Sequence, residues 1–177
     1  MQYTFEQIVQ ITQANFTGNI QATVGNFTVD SRKITPLNIT NLVFVALVTP
    51  KRNGHTFIPE AYQKGVRNFL VSEPVEFLSY KDVNIILVNN TLTALQQIAQ
   101  FHRKQFSYPV IGITGSNGKT VVKEWLYHLL KDDFNIVRSP KSYNSQIGVP
   151  LSVLQMDKHH NLAIFEAGIS QPNEMQI

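Results

Sequence analysis

Seven consecutive residues, Thr114-Gly115-Ser116-Asn117-Gly118-Lys119-Thr120, carry the residue types that hold the phosphates of a nucleotide. Gly115 and Gly118 let the backbone curl so that successive N–H groups face phosphate oxygens, and a helix following them adds its positive N-terminal end. In such a loop Lys119 would reach the β and γ phosphates and the Thr120 hydroxyl would ligate Mg2+. The general pattern G-x-x-x-x-G-K-[ST] is not met, because Ile113 stands five residues before Gly118 and the neighbouring glycine is Gly112. Context favours a phosphate loop over a chance glycine turn. The apolar strand Val110 to Thr114 precedes it, and Val121, Val122, Trp125, Leu126, Leu129 and Leu130 follow at helical spacing.

Three further groups could do chemistry, each with a plain structural alternative. Glu166 ends the apolar stretch Ala163-Ile164-Phe165, where a carboxylate could meet a metal beside the loop or merely sit on the surface at a strand end. Asn144, in the polar run Lys141 to Gln146, is by spacing alone a turn or cap residue. Asp30-Ser31-Arg32 reads alone as an Asx-type turn. The five histidines have no metal-ligand spacing, and His159-His160 reads as exposed loop.

The elements that must position these residues follow from pattern. Thr4-Phe5-Glu6-Gln7 is a capping box that opens a first helix, with Tyr3 and Ile8 as its staple. Residues 19 to 30 read as short strand material broken by Gly18 and Gly25, and Leu42 to Val48 as a fully buried, central strand. Pro59 and Gly65 bracket a short helix from Glu60 to Lys64, and Val66 to Ser72 and Asn84 to Val88 read as strands. Thr93-Ala94-Leu95-Gln96 reads as a second capping box, within a connecting helix from Thr91 to Phe106 whose Leu92, Leu95, Ile98, Ala99 and His102 share one face. After Pro109 come the phosphate-loop strand and helix, a strand near Phe134 to Arg138, a helix near Ile147 to Gln155 and a strand at Leu162 to Phe165. That alternation predicts a parallel sheet. The fold class is therefore α/β: a small α/β unit over residues 1–90, a connecting helix over 91–108, and the start of a phosphate-loop, parallel-sheet domain over 109–177.

Composition excludes several classes. The 177 residues are 43% hydrophobic and include no cysteine, which removes disulfides, thiolate metal sites and cysteine nucleophiles and fits a reducing, cytoplasmic setting. The longest apolar run is far short of the roughly 18 residues of a membrane span, and the first ten residues have no positive or apolar signal region. The net charge of +3 comes from scattered Lys and Arg, among them Lys119, Lys123, Arg138 and Lys141, with no run suited to nucleic acid. A solvated basic surface is expected.

Taken together, the residues resemble the Mur ligase family. Thr114 to Thr120 is similar to that family's ATP loop, T-G-[ST]-[NS]-G-K-[ST], which accounts for the departure from the general pattern. Asp30-Ser31-Arg32, Val43-Phe44-Val45-Ala46-Leu47, Asn53-Gly54-His55-x-Phe57 and Ala61-x-x-x-Gly65 resemble the family's N-terminal domain, which holds the UDP end of the substrate. Asn144-x-x-x-Gly148-x-Pro150 and Phe165-Glu166-x-Gly168 resemble the next two central-domain motifs. The resemblance runs collinearly from about residue 29 to 175, of which the end lies outside the residues described below. The last two motifs look closest to the members that add D-alanyl-D-alanine to UDP-N-acetylmuramoyl-tripeptide, with the members that add the third amino acid as the alternative.

The resemblance implies an ATP-dependent amide ligase of peptidoglycan synthesis, using ATP and Mg2+ and working through an acyl phosphate. By the same resemblance, Gly115, Ser116, Asn117, Gly118, Lys119 and Thr120 bind ATP, with Lys119 and Glu166 as catalytic groups and Thr120 and Glu166 serving the metal. Asn144 lies near the nucleotide, and Val29, Asp30, Ser31 and Arg32 lie near the UDP moiety. Only two strands follow the loop strand where such a sheet normally has about five. The family's carbamylated lysine, its adenine-contacting region and its C-terminal domain have no counterpart either. An N-terminal portion is expected, one that binds more than it catalyses, whose whole enzyme is monomeric unless fused to an alanine racemase, and whose open sheet exposes an apolar edge. Two other readings compete: a non-catalytic uridine-nucleotide-binding module, and a phosphate-loop kinase or GTPase, in which the first unit would have no place.

Overall fold

The computed structural model describes residues 3–74 and 80–169, and the chain divides into two units, residues 1–98 and 99–177. The first unit opens with β1 (Tyr3–Thr4) and helix α1 (Phe5–Thr12), followed by β2 (Asn15–Thr17), β3 (Thr23–Val24) and β4 (Asn26–Thr28). Next come β5 (Leu42–Val45), the short hairpin of β6 (Val48–Thr49) and β7 (Arg52–Asn53), helix α2 (Ile58–Gln63), β8 (Asn68–Val71) and β9 (Asn84–Leu87). The capping box at Thr4 is formed in both directions, with the Thr4 hydroxyl accepting from Gln7 N–H and the Gln7 side chain accepting from Thr4 N–H.

The main sheet has the order β2-β9-β8-β5-β4, parallel from β9 through β4, with β2 antiparallel at one edge. β5 and β8 are buried at every position, as interior parallel strands covered on both faces must be. One face builds a core from Leu42, Phe44, Phe69, Val71 and Ile85 against Ile34, Ile58, Ala61 and Val66. Each buried phenylalanine there contributes about 1.5–3 kcal/mol of transfer free energy. The expected strand to Val48 stops at Val45: Val48 is exposed and turns into the β6–β7 hairpin, because Gly54 N–H binds Leu47 O at 2.7 Å and draws the chain out of the sheet.

Helix α3 (Thr91–Arg103) carries the chain from the first unit into the second. It does not begin on a Thr93 capping box. Asn90 is the cap, its Oδ1 accepting from Leu92 N–H at 2.9 Å and Thr93 N–H at 3.0 Å, while the buried Thr91 hydroxyl donates to Ala46 O. An asparagine cap is as good as a threonine one, and anchoring Thr91 keeps the helix start at the expected Thr91 with its cap three residues before Thr93. Leu95, Ile98, Ala99 and His102 are buried as the face predicted.

The second unit continues with β10 (Val110–Ile113), α4 (Lys119–Leu130), β11 (Ile136–Arg138), α5 (Gly148–Val153) and β12 (Leu162–Glu166). Its strands are all parallel in the order β10-β12-β11, so β12 is central and buried throughout. Val137, Ala163, Phe165 and Met156 form its core. Helix α4 departs from expectation. Val121, Val122, Trp125 and Leu129 are exposed, Trp125 at 68% and Leu129 at 74%, and the helix's buried residue is Lys123.

Candidate functional site

The loop between β10 and α4 takes the shape its glycines allow. Gly115 and Gly118 have φ of +140° and +79°, in the region that favours glycine, and Gly118 is the residue from which α4 springs. The loop is exposed from Thr114 to Gly118, which leaves its N–H groups and the helix end open to an anion. Lys119 folds back, its Nζ donating to Gly115 O at 2.6 Å, so a phosphate would find the side chain already over the loop.

Register brings Glu166 to this loop. Ile113 pairs with Glu166 across β10 and β12, and Ala167 N–H donates to Ile113 O, so the carboxylate leaves the central strand beside the first residues of the phosphate loop. Thr120 Oγ1 donates to Glu166 Oε2 at 3.0 Å, uniting the two residues expected to serve the metal. Glu166 is fully buried, which removes the surface-acid alternative. Its backbone N–H is held by the Ser139 hydroxyl at 3.0 Å.

Asn144 arrives by a different route. Its carbonyl accepts from Gly168 N–H at 2.7 Å, two residues beyond Glu166, and a Cβ on Gly168 would stand 2.9 Å from that oxygen. Gly168 is thus small because the Asn144 loop lies against it. Gly148 has the same role toward Tyr143, whose backbone carbon a Cβ would meet at 2.8 Å. The loop residues 115–120, Glu166 and the Asn144 segment therefore converge at the C-terminal ends of parallel strands, where open α/β sheets bind ligands.

Sequence reasoning missed Lys123, which it left among solvated basic residues. The side chain is fully buried, with Nζ 2.9 Å from Glu166 Oε1, 2.8 Å from Ser139 O and 3.2 Å from Glu124 Oε1, and in contact with Lys141 O. Glu124 in turn pairs with Arg138, whose guanidinium lies 3.6 Å over the Tyr127 ring. Removing one partner of a buried ion pair costs about 3–5 kcal/mol. The available signal was spacing: Lys119 and Lys123 are four apart and share a helical face.

The donor set suits Mg2+. That ion takes one or two protein oxygens and completes its octahedron with phosphate and water, and Thr120 and Glu166 offer a hydroxyl and a carboxylate. Glu166 Oε1 is moreover buried without a hydrogen-bond partner, its approach to Lys123 being an ion pair lacking hydrogen-bond alignment.

In the first unit, Asp30 caps a 3-10 turn over Ser31–Lys33 and grips Arg32 with two bonds of 2.9 Å. The Arg32 hydrogen bond is the chief cause that holds the Asp30 carboxyl at about 2. Ser31 Oγ donates to Glu60 at 2.8 Å and Lys64 Nζ donates to Ser31 O at 2.9 Å, tying the turn to α2. Val29 is half-buried beside them and Arg32 is exposed. The Asx turn is real, and it presents one exposed guanidinium. His55 is structural: its Nε2 accepts from Ser72 and Glu73 N–H, its Nδ1 faces Asn53 Oδ1 at 2.7 Å, and burial lowers its pKa.

A parallel sheet with a phosphate loop, a buried carboxylate on the loop threonine and a glycine-backed asparagine segment have the architecture of an α/β domain of the phosphate-loop class. Residues 113–177 match the Mur ligase middle domain. It is 37% identical over 153 residues to the UDP-N-acetylmuramoyl-tripeptide–D-alanyl-D-alanine ligase of Buchnera aphidicola subsp. Baizongia pistaciae, covering 86% of this chain and 32% of that protein. A ligase structure from Acinetobacter baumannii, UDP-N-acetylmuramoylalanyl-D-glutamyl-2,6-diaminopimelate–D-alanyl-D-alanyl ligase, superposes with a TM-score of 0.86 at 26% identity, covering 99% of this chain and 38% of that one. The MurF ligase of Thermotoga maritima in complex with ADP gives 0.70 at 31% identity, covering 85% of this chain and 33% of that one. The chain spans about a third of the length of the relatives it matches.

Proposed function

We propose that this chain supplies the UDP-substrate unit and the phosphate-loop part of an ATP-dependent ligase that joins D-alanyl-D-alanine to UDP-N-acetylmuramoyl-tripeptide in the cytoplasm. The observation that carries the reading is the Thr120 hydroxyl on the buried Glu166 carboxylate at the head of the phosphate-loop helix. Residues 115–120 hold the phosphates of ATP, and Lys119 exchanges Gly115 O for phosphate oxygens and balances charge on the transferred phosphoryl group. Thr120 and Glu166 would hold Mg2+, which supplies Lewis-acid polarisation of the phosphates. Asn144 borders the nucleotide, and Val29, Asp30, Ser31 and Arg32 border the UDP moiety, with Arg32 as the cation for its diphosphate.

The chemistry explains the nucleotide. A carboxylate is a poor electrophile, and taking the γ-phosphoryl of ATP turns its oxygen into a leaving group. The dipeptide amine then attacks the carbonyl carbon, the C–O bond to phosphate breaks, and amide, ADP and phosphate result. Calorimetric titration of the 177-residue chain with ATP and with the UDP-tripeptide tests the reading. Binding of both with negligible turnover is expected, and binding of neither would overturn it.

A further inference from the structure

Lys123 is costly where it stands. Its amine is withdrawn completely from water inside helix α4, at a position where an apolar side chain of similar length would pack without desolvation. Its contacts come from three separate segments: Glu166 at the end of β12, the carbonyls of Ser139 and Lys141 after β11, and Glu124 on its own helix. The Ser139 hydroxyl also holds the Glu166 N–H, so Lys123 and Ser139 grip Glu166 from side chain and backbone together. Three residues past Lys141, the Asn144 carbonyl binds Gly168 N–H.

We propose that Lys123 is a positioning residue for the cation-binding carboxylate: by holding Glu166 Oε1 it turns Oε2 onto the Thr120 hydroxyl, and by holding the carbonyls of Ser139 and Lys141 it fixes the segment that brings Asn144 against Gly168. One side chain thereby sets the spacing between the phosphate loop, the metal carboxylate and the nucleotide-facing loop. Thr120 is the carboxylate's one side-chain hydrogen-bond donor among the described residues, so without Lys123 the buried Oε1 loses the cation that faces it. This inference rests on the nucleotide reading given above.

The test is calorimetric titration of the chain with ADP, once with Mg2+ and once with EDTA, in the wild type, Lys123→Met and Lys123→Arg. The wild type should bind ADP more tightly with Mg2+. In Lys123→Met that gain should shrink at least tenfold, while affinity in EDTA changes less than about threefold, because Lys119 and the loop N–H groups are untouched. A merely structural role would lower the melting temperature and leave the ratio of the two affinities alone. A folded variant whose ratio stays within threefold of wild type overturns the proposal. Should Lys123→Met fail to fold, Lys123→Arg carries the same criterion, since a planar fork keeps the charge but not the placement. If the wild type binds no ADP under either condition, the nucleotide reading fails by itself. The positioning role is then decided by amide exchange without ligand: at least tenfold faster exchange of Glu166 and Gly168 in the variant supports it, and unchanged exchange overturns it.

Discussion

Three glycines of the second unit differ in what a methyl group would meet, and that difference can be measured. A Cβ on Gly168 would stand 2.9 Å from the Asn144 carbonyl oxygen and 3.4 Å from its side-chain carbon, both belonging to a loop that cannot retreat without breaking the 2.7 Å Gly168–Asn144 bond. Overpacking of this kind costs about 1–3 kcal/mol, and losing the hydrogen bond adds about 0.5–1.5 kcal/mol. Gly168→Ala should therefore destabilise the junction by about 2 kcal/mol or more. Gly118 has open space around it but a φ of +79°, so Gly118→Ala should cost the left-handed strain alone, about 1–2 kcal/mol. Gly112 has neither contact nor positive φ, and Gly112→Ala should be neutral or slightly stabilising. Native-state amide exchange at residues 144 and 168 reads the local opening, and about 2 kcal/mol is roughly thirtyfold faster exchange. ADP affinity should fall with it in Gly168→Ala. An order in which Gly112→Ala is the most damaging, or in which Gly168→Ala exchanges at the wild-type rate, would refute the packing account of the Asn144 loop.

In the whole enzyme, Lys119→Ala should reduce ATP-dependent phosphate release by a factor of about one hundred or more; retained turnover would remove the loop from the mechanism. Asp30 has its pKa depressed to about 2, so its contribution is present above the unfolded value near 4 and is lost as pH falls through about 2. Urea midpoints of wild type and Asp30→Asn should accordingly differ at pH 6 and converge toward pH 2. His102 is lowered chiefly by burial, against its hydrogen bond to Met156 O, and thus binds fewer protons folded than unfolded. Stability of the second unit should be full above about pH 6.5 and fall on acidification, a slope that His102→Gln should flatten. The exposed side chains Val122, Trp125 and Leu129 should bind a hydrophobic dye and promote association, and Trp125→Arg with Leu129→Lys should reduce both, read by fluorescence and light scattering.

The phosphate loop was legible because everything that makes it is local: two glycines, a lysine and a threonine between an apolar strand and a helix. The Thr4 capping box was legible for the same reason. Thr93 has an equally good local pattern and failed because Asn90 competes for the same helix start and Thr91 is tied to Ala46, a residue 45 positions away that no window contains. Glu166 stood between surface and site until strand pairing set it beside Ile113. Lys123 was out of reach because its contacts lie up to 43 positions away in sequence and because a lysine among apolar residues reads as the solvent face.

The reversal of α4 has a specific cause. With Lys119 set at zero and a turn of about 100° per residue, Lys123, Leu126 and Leu130 fall within about 40° of it, whereas Val121, Val122, Trp125 and Leu129 fall between roughly 200° and 300°. Periodicity alone would turn the larger apolar arc inward. The first turn does not permit it, because Lys119 must lie over Gly115 and Thr120 must meet Glu166. Those two contacts fix the rotation of the helix, which carries Lys123 into the interior, leaves Leu126 and Leu130 half-buried beside it and sends the other four apolar side chains outward. In this chain the contacts of the first turn and the burial of Lys123 agree on the face that α4 turns toward β12. The lysine that this rotation buries is the one that pairs with Glu166 at 2.9 Å.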